Sequence, residues 1–492
     1  MTNRIKANIP FYLSIAAAIF LFFIVESSLL SKNFFALSAD ESGHTLEAYE
    51  WYKGEGQLFS IWLPFFKLVN GLALKIYYDL FVTPRIMSWL FGLLTLLSLI
   101  ILTHQLFENK IVAILTGFLA TLFLPIVVFS ALPLIEIYFF FFMTASIAFF
   151  LLWLRNGKNK FLWLTAIFLS VGTTTRYEAW VFALFLFLII AYQLFKSHKT
   201  SSQKATLIIS FALIITAFPV YWIYLSTIAN ESAHGFVSSV TNRYNEGRIF
   251  SEIKNNALYQ FLIINITSLN IIGLASLFYL VKINPNVKKY SIILFGTLLT
   301  FSVLSFVIKA MPTHNYWRIA MIWSLLLLPF TAYWLYHLLD TSNSSPVNKY
   351  GFIIFFILLI YFFNSQMTQY TSLSYFTRDD INIGNFLNKI TTGDQSSKIY
   401  VMKDGSDKWR YSNILVASQK PEQFVLELHN FDYVSSDTIS VDQQLISEMV
   451  IHKIKFVLIP SRTIVKKGAE FFNKIKVFKK WKVYQINLIK DT

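Results

Sequence analysis

The chain is written as long apolar runs separated by short hydrophilic breaks, and that alternation limits the folds open to it. Of its 492 residues, 55% are hydrophobic. Runs such as "FYLSIAAAIFLFFIV" approach the roughly 20 residues that carry a helix across a bilayer core. A backbone in hydrocarbon must satisfy its own hydrogen bonds, so the expected fold is a polytopic α-helical membrane protein. Spans are expected near 10–30, 83–103, 111–130, 134–154, 161–174, 178–195, 205–228, 258–281, 290–308, 317–338 and 350–366, about eleven in all.

The formal charge of +15 follows the same plan. Much of it sits in short breaks, "RNGKNK" (155–160), "KSHKTSSQK" (196–204) and "KINPNVKK" (282–289). With the N-terminus inside and alternating spans, all three fall in the cytoplasm, as basic loops should. The positive charge is therefore read as topology plus attraction to anionic headgroups, and nucleic acid is not an expected partner. No cysteine is present, which excludes disulfides, thiolate metal sites and cysteine catalysis. The opening "MTNRIKANIP" and the apolar run after it lack a small-residue cleavage pattern, so the first span is expected to be retained.

This topology makes residues 1–366 a membrane domain and places three hydrophilic segments outside, 31–82, 229–257 and 367–492. The first loop, 31–82, contains "WLPFFKLVNGLALKIYY", which reads as amphipathic helices lying in the interface. The tail, with the C-terminus outside, changes character. "SKIYVMKD", "HKIKFVLIPS" and "WKVYQINL" read as strands, and "DDINIGNFLNKI" and "GAEFFNKIKVFKK" as helices. That predicts a small soluble α/β domain over 367–492. No internal repeat or inverted duplication is visible.

Ionisable residues gather at span ends on the predicted outer side. They are Asp40 and Glu41 after the first span, Arg85 before the second, and Glu136 just inside the fourth. Arg176 and Glu178 lie in "TTTRYEAW", and Lys309, His314 and Arg318 in "KAMPTHNYWR". Ser38-Ala39-Asp40-Glu41 fits a capping box, with Ser38 accepting the Glu41 N–H and Glu41 returning the bond. His44, Glu47 and Glu50 then form the polar side of an interfacial helix. Arg85, like any of the other cations taken singly, also fits an interface anchor. Glu136 needs a cationic partner inside an apolar span, and Arg176 or Arg318 could supply it. Arg243 and Arg248 sit on an expected interfacial helix over 237–256. His44, His234 and His314 lack metal-ligand spacing, so no metal site is predicted.

A lipid-linked phosphosugar would hold its phosphate at headgroup level. Attack on its anomeric carbon needs a base for the acceptor's proton, which a carboxylate can be. The departing lipid phosphate needs fixed cations where negative charge accumulates. One carboxylate in the first outer loop and several cations at neighbouring span ends meet that specification.

The motifs "ADESGHTLEAYEW", "FSIWLPFFKLVNGLALKIY", "TPRIMSWLFGLLTLL", "SALPLIEIYFFFFMTASIAFFLLWLR" and "VGTTTRYEAW", in this order, resemble the GT-C glycosyltransferases. The likeness is to the branch of the protein O-mannosyltransferases and the lipid A aminoarabinose transferase. It is best over residues 1–200, rests on hydropathy and layout over 201–370, and extends weakly to "YWRIAMIWSLLLLP" and "RDDINIGNFLNKI". The resemblance implies an inverting transferase that moves a hexose or pentose from a polyprenyl phosphate to an acceptor hydroxyl outside the cytoplasm. It implies Asp40 as catalytic carboxylate with Glu41 its acidic neighbour, and Arg176 and Arg318 at the donor phosphate, where the neighbouring cations Lys309 and His314 are expected to join them. Glu136 and Glu178 would orient these cations or bind sugar hydroxyls, and Trp51 and Trp62 would stack on sugar rings. The aminoarabinose branch has a lysine in a Lys-Pro-Pro run where this chain has "SIWLPFF", so its substrate does not carry over.

The expected setting is a bacterial inner membrane with a periplasmic active site. The acceptor (protein, lipid or glycan) stays open, as does a divalent cation; no other cofactor is expected. Two rivals remain. A transporter or flippase for a lipid-linked glycan would place ionisable groups near the midplane in matching halves. A non-catalytic scaffold for the tail would leave Glu136 and the arginines without a use.

Overall fold

The computed structural model describes residues 2–56, 62–230, 257–308, 317–340, 346–372, 376–394, 396–402, 411–425, 438–441 and 443–487. Its helices are α1 (Thr2–Ser31), α2 (Asp40–Lys53), α3 (Phe65–Ile76), α4 (Val82–Phe107), α5 (Lys110–Thr121), α6 (Leu124–Ala131), α7 (Ile135–Asn156), α8 (Asn159–Thr173), α9 (Glu178–Lys196) and α10 (Ser201–Asn230). They continue with α11 (Ala257–Thr267), α12 (Ile271–Val281), α13 (Pro285–Ile308), α14 (Trp317–Leu325), α15 (Leu328–Asp340), α16 (Pro346–Ser372), α17 (Arg378–Ile390), α18 (Ser412–Ser418) and α19 (Gln443–Ile451). The chain divides into two compact units. One holds Met1–Lys32, Gln57–Val69 and Arg85–Ser372; the other holds Asn33–Gly56, Asn70–Pro84 and Leu373–Thr492.

In the first unit, seven helices among the described residues are long and apolar enough to cross a membrane, and nine if each of two bent pairs counts as one span. The bends are new information. The run expected as one span over 111–130 breaks by 57° between α5 and α6, and the run over 258–281 breaks by 108° between α11 and α12. Pro125 sits in the first turn of α6, where a missing N–H costs nothing. At the sharper break Leu269 takes a left-handed φ of 58°. Two further expected spans correspond to α8, only 15 residues long, and α13, 24 residues long.

The 108° break is held by a buried polar knot. Asn270 Nδ2 donates to Asn265 Oδ1 at 2.7 Å and to the Ser324 carbonyl at 2.8 Å. Asn265 Nδ2 donates to Ser324 Oγ at 3.0 Å, and Thr331 Oγ1 donates to Asn270 Oδ1 at 2.5 Å. All four side chains are buried. A broken helix pair leaves backbone and side-chain polar groups inside apolar surroundings, and this knot gives them partners. Because Ser324 lies on α14, the knot also pins the helix that carries Arg318. Gly273 permits the approach: a Cβ there would lie 2.4 Å from Thr331 Oγ1 and 3.0 Å from the Leu327 carbonyl.

In the second unit, β1 (Lys398–Val401), β2 (Phe424–Val425), β4 (Ile454–Pro460), β6 (Phe472–Val477) and β7 (Trp481–Ile486) form a five-stranded sheet ordered β2-β1-β4-β7-β6. Strands β2, β1 and β4 run parallel, β7 pairs antiparallel with β4, and β6 pairs antiparallel with β7 at the edge. A separate parallel pair joins β3 (Thr438–Ser440) and β5 (Ile464–Lys467). Both faces of β4 are covered. Phe456 and Leu458 face a core with Ile383, Leu387 and Val483, and Val457 and Ile459 face one with Leu445 and Met449. A strand buried on both faces reads as an unbroken apolar run, which is why "FVLI" was visible. The stretch expected as a helix over 468–480 is instead the edge strand β6. Only Phe472 is buried in it, and Lys474 and Lys476 blunt the edge.

Replacing Asn270 with alanine leaves Asn265, Thr331 and the Ser324 carbonyl short of a partner. The expected cost is about 1–3 kcal/mol for each orphaned buried group, seen as a lower thermal-unfolding midpoint in detergent. An unchanged midpoint would show that the knot does not hold the break.

Candidate active site

The membrane unit gathers four of the expected site residues, Glu136, Arg176, Glu178 and Arg318, into one cluster. Glu136 is the second residue of α7, and its side chain is 1% exposed. Its Oε1 accepts from Arg176 Nη1 at 2.5 Å and from Arg318 Nε and Nη2 at 2.7 and 2.6 Å. The partner that Glu136 needs is therefore supplied by both arginines. Arg176 is in turn gripped by Glu178, which accepts from its Nε at 3.1 Å and its Nη2 at 2.6 Å. Glu136 Oε2 is buried with no hydrogen-bond partner among the described residues.

Local sequence explains how these groups meet. Thr173, Thr174 and Thr175 each turn a hydroxyl back to the carbonyl three residues earlier, all at 2.6 Å, closing the end of α8. Trp180 Nε1 donates to the Thr173 carbonyl at 3.0 Å and ties the start of α9 to that end. Arg176 is left in the short turn between. Gly172 lies where α8 meets α7: a Cβ there would lie 2.3 Å from the flexible end of Met143 and 3.3 Å from Phe142 Cβ. Arg318 lies on α14, and Trp323 in the same helix stacks on Phe182 of α9 at 6.0 Å. Burial opposes the charge on Arg176, but Glu178 and Glu136 outweigh it and hold the guanidinium above its ordinary pKa. The Arg176 side chain is still 15% exposed.

Asp40 and Glu41 lie in the other unit, at the start of α2. The capping box is half realised. Glu41 is buried and accepts from Ser38 N at 3.2 Å, Ser38 Oγ at 2.8 Å and Leu37 N at 2.8 Å. Ser38 Oγ takes the Asp40 N–H at 3.2 Å rather than that of Glu41. The helix begins at Asp40 with Ala39 as its N-cap, so Ser38 makes a turn before the helix rather than a cap upon it. Asp40 is thus fixed in the first turn, half-buried.

Lys309 and His314 lie outside the described residues, as do His234, Arg243 and Arg248. Trp51 packs against α3, where a Cβ at Gly71 would lie 2.3 Å from its ring, and Lys75 Nζ sits 5.2 Å from the centre of that ring. Trp62 is half-buried in the membrane unit. His44 is buried rather than on a polar face, and Arg85 is buried rather than snorkelling. One group escaped the sequence reading. Glu26 lies inside α1, fully buried, with neither carboxylate oxygen hydrogen-bonded among the described residues. Its only signal was an acid within the first apolar run.

Glu136→Gln removes the carboxylate that both arginines share. Breaking a buried pair in this way is expected to cost about 3–5 kcal/mol. Thermal unfolding of the purified variant measures it, and a wild-type midpoint would mean that the cluster does not join these helices.

Residues 21–230 match the family described as dolichyl-phosphate-mannose-protein mannosyltransferase. No curated protein sequence matches the chain. Among solved structures, ArnT from Cupriavidus metallidurans in the apo state aligns over 96% of this chain and 97% of its own, at 12% identity and a TM-score of 0.57. The same protein bound to undecaprenyl phosphate aligns over 97% and 98%, at 13% identity and a TM-score of 0.59. The archaeal oligosaccharyltransferase AglB from Archaeoglobus fulgidus, in complex with an inhibitory peptide and a dolichol-phosphate, aligns over 92% of this chain and 70% of its own. Its identity is 12% and its TM-score 0.51. At these identities the likeness is one of fold. The resemblance drawn from the sequence therefore stands: the chain is an integral membrane protein with the ArnT-like GT-C fold, and its residues 21–230 are matched by the mannosyltransferase family.

Proposed function

We propose that the chain is an inverting glycosyltransferase that moves a sugar from a polyprenyl-phosphate donor to an acceptor hydroxyl at the extracytoplasmic face of a bacterial inner membrane. The observation that carries this reading is the buried cluster of Glu136, Arg176, Glu178 and Arg318, which holds guanidinium donors in fixed positions at the ends of apolar helices. The solved structures of this fold that hold undecaprenyl phosphate and dolichol-phosphate support the lipid class. The basic breaks at 155–160, 196–204 and 282–289 support the orientation.

The reaction is a single displacement. The acceptor oxygen attacks the anomeric carbon, and its proton passes to the Asp40 carboxylate. The bond from that carbon to the phosphate oxygen breaks, and its electron pair leaves with the polyprenyl phosphate. Arg176 and Arg318 meet the negative charge that grows on the leaving oxygen. Their directions are fixed before reaction by Glu136 and Glu178, so no reorganisation is needed as charge develops. Glu41 spends its carboxylate on the turn before α2 and acts by placing Asp40.

The test is to incubate purified protein with radiolabelled polyprenyl-phosphate sugars and a panel of protein, lipid and glycan acceptors. Release of polyprenyl phosphate with transfer of label is the expected result, and Asp40→Asn is expected to abolish both while still inserting in the membrane. A variant with wild-type turnover would remove Asp40 from the reaction. A wild-type protein that moved the intact lipid-linked sugar across vesicles without releasing phosphate would instead establish the flippase.

A further inference from the structure

The helix that begins with Asp40 is held by residues more than 370 positions away. Ser42 Oγ donates to Asn413 Oδ1, and Tyr49 OH donates to Glu422 Oε2. Ser42 and Tyr49 are seven residues apart, two turns along one face of α2, so the two bonds fix both its position and its rotation. Asn413 lies on α18, whose seven residues are all buried. Behind α18 stands α17, so close that a Cβ at Gly384 would lie 2.6 Å from the Ala417 carbonyl carbon and 2.7 Å from Ser418 N. At that point α17 and α18 pack backbone against backbone.

The second arm of the first loop is tied to the same place. Tyr78 OH donates to the Gln419 carbonyl at 2.6 Å, Leu80 N to Gln419 Oε1 at 2.7 Å, and Gln419 Nε2 to Asp79 Oδ1 at 3.1 Å. Gln419 makes these bonds from a left-handed φ of 64°, a conformation that a non-glycine residue adopts at a cost. Phe35, just before the Asp40 turn, packs edge-on with Phe81 and Phe376 at 5.5 and 6.0 Å. The Phe35–Phe81 contact joins the two arms of the loop at 33–56 and 70–84, and the others join that loop to the tail, within one compact unit.

We infer that the C-terminal domain positions the Asp40 carboxylate, with Asn413 and Glu422 as the positioning residues that hold α2. This deepens the transferase reading and rests on Asp40 acting there. Neither residue is assigned contact with donor or acceptor; each acts through the helix. A reacting group displaced by about 1 Å can cost on the order of a hundredfold in rate, whereas binding of the donor phosphate to the arginines of the membrane unit does not pass through α2.

The experiment compares Asn413→Leu, Asn413→Asp and Tyr49→Phe in the full-length protein. Turnover is measured alongside affinity for polyprenyl phosphate. Asn413→Leu removes the acceptor for Ser42 and is expected to lower kcat by about ten- to a hundredfold with polyprenyl-phosphate affinity within about twofold of wild type. Asn413→Asp keeps an oxygen for Ser42 and is expected to recover most of the turnover, which a merely structural loss would not produce. Tyr49→Phe removes one hydroxyl from a ring that stays packed, and supplies the same reading if Asn413→Leu does not fold. Wild-type kcat in folded Asn413→Leu or Tyr49→Phe overturns the inference. So does a parallel loss of phosphate affinity and turnover that Asn413→Asp fails to rescue. The Asp40→Asn result is read separately, so an active Asp40→Asn protein condemns the transferase role of Asp40 rather than the grip on α2.

Discussion

A carboxylate with 1% of its side chain exposed, at the second position of an apolar helix, sets the terms for the membrane unit. An ion in such surroundings costs several kcal/mol unless it is paired and hydrogen-bonded. Glu136 meets the demand with two guanidiniums, one from the turn after α8 and one from α14, 182 positions later in the chain. Each arginine brings its own segment with it. Glu178 then answers the second charge on Arg176, so two carboxylates face two guanidiniums and the formal charge of the four cancels. The arrangement of α7, α9 and α14 follows from that balance, and the Asn270 knot secures α14 from its other end.

Much of this was legible because a charge is conspicuous in an apolar run. "TTTRYEAW" and the acid in "PLIEIYFFFF" stood out, and Glu136 had to have a partner whatever the fold. The bends were not legible. Hydropathy reports how apolar a residue is and not which way the backbone runs, so 111–130 and 258–281 read as straight spans. Pro125 and Asn270 were the local signals for their breaks, each outweighed by the apolar residues around it. The helix expected over 468–480 failed for a related reason: edge pairing with β7, rather than periodicity, decided the state of β6.

The division of the chain was harder still. A boundary at 366 suits hydropathy, because apolar spans end there. Yet the compact unit containing the tail also takes in 33–56 and 70–84. Its joins are Ser42 with Asn413, Tyr49 with Glu422 and Gln419 with three partners, contacts of single polar residues hundreds of positions apart. No periodicity or composition shift marks such pairs. The same blindness applies to Ser38, whose expected cap became a turn because the helix began one residue later than the pattern implied.

A cluster of zero formal charge looks a poor receptor for phosphate, but the side chains are not its whole field. Glu136 stands second in α7 and Glu178 first in α9, so their hydrogen bonds to Arg176 bring two helix N-termini together. Each N-terminus acts as roughly half a positive charge through its unsatisfied N–H groups. The carboxylates hold the guanidinium forks in place and keep the cluster neutral, while the helix ends would favour an anion. The neutral knot at the 108° bend differs in kind. Its amides and hydroxyls satisfy one another, which suits a fixed support better than the ion-coordinating broken helix of a transporter. Charge is kept where helices begin, and that is where a lipid phosphate would be met.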